Sequence, residues 1–205
     1  LSLREIWADK EMELAAVVEN MVESCLAHQR PAAALELLGQ IPPLKDLNAR
    51  AVLALRQAQL LRECATLDQA EELLCAVLKD SQLRGGPFEA QFLNELGLVY
   101  FLRQDYERSG ATFSAALDSH QSPATTDHFR LSLLYNLACS LQGQAQDRDA
   151  EACYRRALEL VSAQPSLAGS SLLARVVWNL AALLESRGEV VESERLKTEY
   201  VAALA

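Results

Sequence analysis

Leu93-Asn94-Glu95-Leu96-Gly97-Leu98-Val99-Tyr100, followed by Ser109, Phe113 and Ala116, decides the fold. Gly97 is followed at twelve residues by a second small residue, Ser109, and four later by an aromatic. The same offsets return in Leu134, Leu137-Ala138, Leu141, Ala150, Tyr154 and Ala157. Looser copies lie upstream, at Ala58, Leu61, Ala70, Leu74 and Val77, and at Val22, Cys25, Ala34, Leu38 and Ile41. A last copy runs through Leu180-Ala181, Leu184 and Ser193, with Lys197 and Tyr200 where an aromatic and an Ala would fit. Self-similarity at a few tens of residues signals a helical solenoid, in which no unit buries its apolar face alone and stacking does so. The degenerate last copy reads as a cap with one side to water.

The small and bulky positions predict an all-α fold of ten helices in five antiparallel pairs. They fall near 3–28, 31–40, 45–63, 67–84, 88–103, 105–119, 127–143, 147–162, 170–187 and 189–204. Asp68, Asp105, Asp147 and Glu189 stand near second-helix starts, where an acid suits the exposed N–H groups. The stretches around Gly85-Gly86-Pro87, Ser119–Asp127 and Ser162–Ser171 are rich in turn-formers and read as loops.

This pattern resembles the tetratricopeptide repeat, W-x2-L-G-x2-Y followed by A-x3-F and a late Pro. Leu93 stands in the Trp position, Ser109 replaces the Ala, and Pro123 comes late. The resemblance covers nearly the whole chain and implies a right-handed α-solenoid, a superhelix of about five hairpins in a single domain, 1–205. Its repeats are expected near 3–42, 45–84, 88–120, 127–163 and 170–204. The marker residues Ala34, Ala70, Ser109, Ala150 and Ser193 are 36, 39, 41 and 43 apart by subtraction. This period is longer than the family's usual one. It is similar to that of kinesin light chains and the Leu-Gly-Asn adaptor proteins.

Composition narrows the function. A net charge of −9 and the lack of a basic stripe with interleaved aromatics disfavour nucleic acid. Acidity favours a basic or mixed-charge protein partner through steering. No run of eighteen apolar residues exists, so membrane insertion is not expected. The start has neither a signal region nor a Met, so the chain is expected to be a fragment of a longer protein. Cys25, Cys64, Cys75, Cys139 and Cys153 form no CxxC pair. Their odd number and the missing signal point to reduced thiols in the cytoplasm or nucleus, with Cys139 and Cys153 as helix filler.

The residues do not suggest an enzyme, cofactor or metal. His28, His120 and His128 fall at a helix end or in a loop. Asp127-His128 has no placed nucleophile. Asp147-Arg148-Asp149-Ala150-Glu151 lacks the Gly and distal Glu of a calcium loop, and no Lys-Ser follows Gly85-Gly86.

An asparagine series carries the binding expectation. Two residues before each first-helix small residue stand Asn20, Arg56, Glu95, Asn136 and Asn179, with Asn94 one earlier in its copy. A mid-helix Asn is a mild cost, whereas a primary amide both donates and accepts and so pairs with a peptide unit of any sequence. By resemblance, this offset points into the concave groove lined by first helices, where the kinesin light chain and Leu-Gly-Asn families clamp an extended peptide. The same register places Gln59, Arg62, Gln91, Tyr135, Arg175 and Trp178 beside these amides. The arginines suit acidic side chains or a terminal carboxylate. The expected function is a non-catalytic module binding a peptide of a protein partner, or else a scaffold subunit that packs through its outer faces.

Overall fold

The computed structural model describes residues 3–80, 82–119, 126–168 and 170–201. They form ten α-helices and one short 3-10 turn, with no strand among the described residues. The helices are α1 (Leu3–Ala27), α2 (Pro31–Gly39), α3 (Leu47–Glu63), α4 (Leu67–Lys79), α5 (Glu89–Leu102), α6 (Tyr106–Asp118), α7 (Asp127–Gly143), α8 (Asp147–Ala163), α9 (Ser171–Ser186) and α10 (Val190–Val201). The 3-10 turn, Pro165–Leu167, lies within the expected loop. His120 and Pro123 lie outside the described residues.

Local chemistry sets most helix ends. Asp46, Asp105, Thr126 and Ser170 accept from the N–H groups of Ala49, Arg108, Phe129 and Leu172, satisfying donors that the first turn leaves open. Pro31 opens α2, where its missing N–H costs nothing. Helix α4 stops five residues before the expected end. Asp80 leaves the helix with extended backbone, and its carboxylate accepts from the Gln82 N–H and from Arg50 at 2.8 Å.

The five helical hairpins close in one way. Gln29, Ala65, Gln104, Ala145 and Gly188 have left-handed φ values of 57, 58, 61, 58 and 82°. Each donates its N–H three residues back, and the next residue donates five back, as with Ala145 to Gln142 and Gln146 to Leu141. This is the Schellman motif, which satisfies the last carbonyls of the first helix. Each left-handed residue precedes its marker small residue by five positions. Ala34, Ala70, Ser109, Ala150 and Ser193 are all fully buried, so each left-handed turn is followed at a fixed separation by a buried small residue.

The chain divides into two compact units, Leu1–Val99 and Tyr100–Ala205, with the division inside α5. The first unit has a core of Ala15, Val18, Val22, Ala34, Leu38, Ala49, Leu53 and Leu60. In it α1 pairs with α2 and α3 with α4. The second unit is built on α7, which packs against α6, α8 and α9, and on α9, which pairs with α10. Its core joins Leu131, Tyr135, Ala138 and Tyr154 to Leu173, Val177 and Leu180.

Candidate functional site

In the first unit the candidate arginines are matched by acids. Arg56 on α3 pairs with Glu23 and lies 3.8 Å from Glu19, both on α1. Burial raises the Glu19 carboxyl above the ordinary value and the Arg56 charge opposes it. Arg62 donates from Nε to Glu95 at 2.8 Å, and the Glu95 side chain is only 7 % exposed. Thus Glu95, at the clamp offset in α5, supports Arg62 within this unit. Asn20 is exposed on α1, whereas Gln59 and Asn94 are half-buried. The Gln91 amide nitrogen, turned towards its own helix start, reaches the Pro87 and Phe88 carbonyls at 3.1 and 3.2 Å.

The second unit holds a tighter group. The Tyr135 ring is buried on α7 beneath the Arg175 guanidinium, whose Cζ lies 4.6 Å from the ring centroid. Arg175 has no carboxylate partner among the described residues. Trp178 is 54 % exposed on α9, with Lys197 Nζ 5.6 Å from its ring centre. Asn136 is half-buried on α7 at the register matching Asn179 on α9. Asn179 donates to the hydroxyls of Tyr154 and Tyr135, at 3.2 and 3.3 Å. Tyr154 in turn donates to Gln142 Oε1 at 2.6 Å. The Cys139 thiol sits 3.4 Å from the Tyr154 hydroxyl and 3.7 Å from the Asn179 amide nitrogen.

Burial pushes the Tyr154 hydroxyl well above the ordinary tyrosine value, and the neighbouring Cys139 adds to this against the Asn179 hydrogen bond. It is therefore a neutral phenol. All five cysteines are free. Sequence reasoning placed Tyr154 as packing and Cys139 as filler, and gave Gln142 no part. Their link to Asn179 joins three helices and leaves no local sequence signal. Among the described residues no cluster of His, Cys, Asp and Glu has a metal-site arrangement, and no helix is long and apolar enough to cross a membrane.

Residues 88–163 match the tetratricopeptide repeat family model. That stretch, α5 to α8, carries tetratricopeptide repeats. Such repeats form protein-interaction modules. The family match spans parts of both units and includes α7 and α8, which supply Asn136, Tyr135 and Tyr154. No curated protein sequence matches the chain. A putative kinesin light chain from Podosopora anserina, described as having nearly identical TPR-like repeats, is similar in structure. It has 16% identity and a TM-score of 0.74, with 92% of this chain and 93% of that one covered. MamA from Desulfovibrio magneticus RS-1 has 16% identity and a TM-score of 0.65, covering 92% of this chain and 94% of its own. At these identities the likeness concerns the fold.

Proposed function

We propose that this tetratricopeptide-repeat chain is a non-catalytic module whose first helices, α7 and α9 foremost, hold an extended segment of a partner protein. One observation carries the reading. Asn136 and Asn179 occupy the same register on two packed helices, beside Arg175, a cation with no acidic partner among the described residues. Trp178 adds an exposed aromatic surface. Amides then serve the partner's main chain, and Arg175 serves a carboxylate or carbonyl. The net charge of −9 favours a partner that is basic or mixed in charge overall. Five free thiols suit the reducing cytoplasm or nucleus.

Affinity capture with the full chain tests this reading against an Asn136→Ala, Asn179→Ala double variant whose folding is checked by circular dichroism. Loss of two amide contacts weakens partner binding by roughly ten-fold or more. Equal binding by the folded double variant overturns the peptide-holding role. A second reading then takes its place, favoured by Leu14, Val17 and Met21 on α1. These are 38, 54 and 47 % exposed and recur at helical spacing. They suit a scaffold contact through an outer face. Replacing all three by Ser then abolishes capture.

A further inference from the structure

We infer that Tyr154 fixes Asn179 as an acceptor, so that the site takes a main-chain N–H of the partner at this position. The inference rests on the peptide-holding reading above and assigns it a direction. A phenol has one proton. The Tyr154 proton lies on Gln142 Oε1, across the 2.6 Å bond, and the ring is fully buried. Tyr154 therefore meets Asn179 only as an acceptor, and Asn179 must turn Nδ2 towards it. The second hydrogen of Nδ2 goes to the Tyr135 hydroxyl at 3.3 Å. Both amide hydrogens are thereby used inside the unit.

The remaining group is Oδ1. It accepts no hydrogen bond from a described residue, and solvent reaches it. Free asparagine offers a partner two donors and one acceptor, whereas Asn179 offers an acceptor alone. A partner carbonyl brought to this point meets an oxygen and is rejected, while an N–H is taken. Tyr154 touches no partner in this scheme. It is a positioning residue on the second helix of the preceding hairpin, and Gln142 sets its direction.

Two measurements test the inference on the full chain. The first needs no ligand. NMR of chain labelled with ¹⁵N-asparagine should show both Asn179 side-chain protons protected from exchange, and Tyr154→Phe should remove protection from one. Gln142→Glu provides the control. A carboxylate at 142 only accepts, so it keeps Tyr154 donating in the same direction and keeps the protection. If Gln142→Glu disturbs Asn179 as Tyr154→Phe does, the bond chain runs the other way and the inference is overturned.

The second measurement uses a phage-displayed library of random dodecapeptides. The best binder that Asn136→Ala weakens is remade with an ester replacing each amide in turn, which removes one N–H at a time. One ester is expected to weaken binding to wild type by about five-fold and to make no difference to Asn179→Ala. A binder with no ester position coupled to Asn179 overturns the acceptor role but leaves peptide binding intact. A library with no binder sensitive to Asn136→Ala removes the peptide reading, and the acceptor role with it, whatever the NMR shows.

Discussion

The ring of Tyr106, the first residue of α6, occupies the space where a Cβ on Gly143 would stand, at the last residue of α7. Phe101 packs edge-on against the same ring, with centroids 5.4 Å apart. The glycine therefore lets one hairpin turn seat the aromatic of the preceding one. Gly143→Ala ordinarily stabilises a helix by about 1 kcal/mol. Here the sign reverses, because the ring must move, and a loss of about 1–3 kcal/mol is expected from overpacking. Gly39, at the end of α2, has open space around it. Gly39→Ala should stabilise by about 0.5–1 kcal/mol. Thermal unfolding of both variants checks the pair, and a stabilised Gly143→Ala would refute the packing account.

The hairpin turns give a second expectation. Ala65 and Ala145 hold the left-handed conformation with a Cβ, at φ 58° in each case. That conformation costs a non-glycine residue about 1–2 kcal/mol, part of which glycine returns as chain entropy. Ala65→Gly and Ala145→Gly should each raise stability by up to about 1 kcal/mol. Gly188→Ala, at the equivalent turn, should lower it by a similar amount. Denaturant midpoints at unchanged m-value decide the matter. A loss in both Gly variants would mean that the strain is absent.

The sequence made the fold legible because packing repeats at fixed offsets. Gly97, Ala138, Ala181 and the five marker residues are all buried where the pattern requires close helices. The hairpin turns were not legible as left-handed, since four of the five lack glycine. Asn179 was legible as an unusual residue in an Ala-Leu helix. Its partners were not, because Tyr135 and Tyr154 are 44 and 25 residues away and read as packing aromatics. Likewise Glu95 broke the amide series for a reason visible only in space, its bond to Arg62.

Acid affects two carboxylates in opposite directions. Burial raises Glu19 above 4.5, against the Arg56 charge. Its folded state thus binds a proton more readily than the unfolded chain, and stability is lost as pH rises through that folded value. Burial alone would raise Glu151, but hydrogen bonds from Arg187 and Arg155, with their charges, together outweigh it and hold the carboxyl below 4.5. Its contribution is present above the unfolded value and lost as pH falls through the folded one. Glu19→Gln should therefore stabilise at neutral pH, with the advantage fading as pH falls through the raised folded value and gone by about pH 4.5. Glu151→Gln should destabilise at neutral pH, with the deficit fading only below that value. Unfolding midpoints measured across this range should show the two differences fading in different pH windows. Parallel curves would contradict the assignment.

Arg62 and Glu95 lead to the last expectation. The Glu95 carboxylate is 7 % exposed and Arg62 lies 2.8 Å away with its side chain 22 % exposed. Removing one member of such a pair leaves a charge with neither water nor counter-ion, which costs more than the pair contributes. Arg62→Ala should destabilise by about 2–3 kcal/mol, partial exposure placing it below a fully buried pair. Glu95→Gln keeps an acceptor for Arg62 and should cost about 1 kcal/mol. Exchanging both for Leu should cost less than Arg62→Ala alone, because no charge is then left unpaired. A double-mutant cycle by chemical denaturation measures this coupling. If Arg62→Ala proves neutral, the bond to Glu95 is not what holds the arginine, and Arg62 is open to a partner's carboxylate.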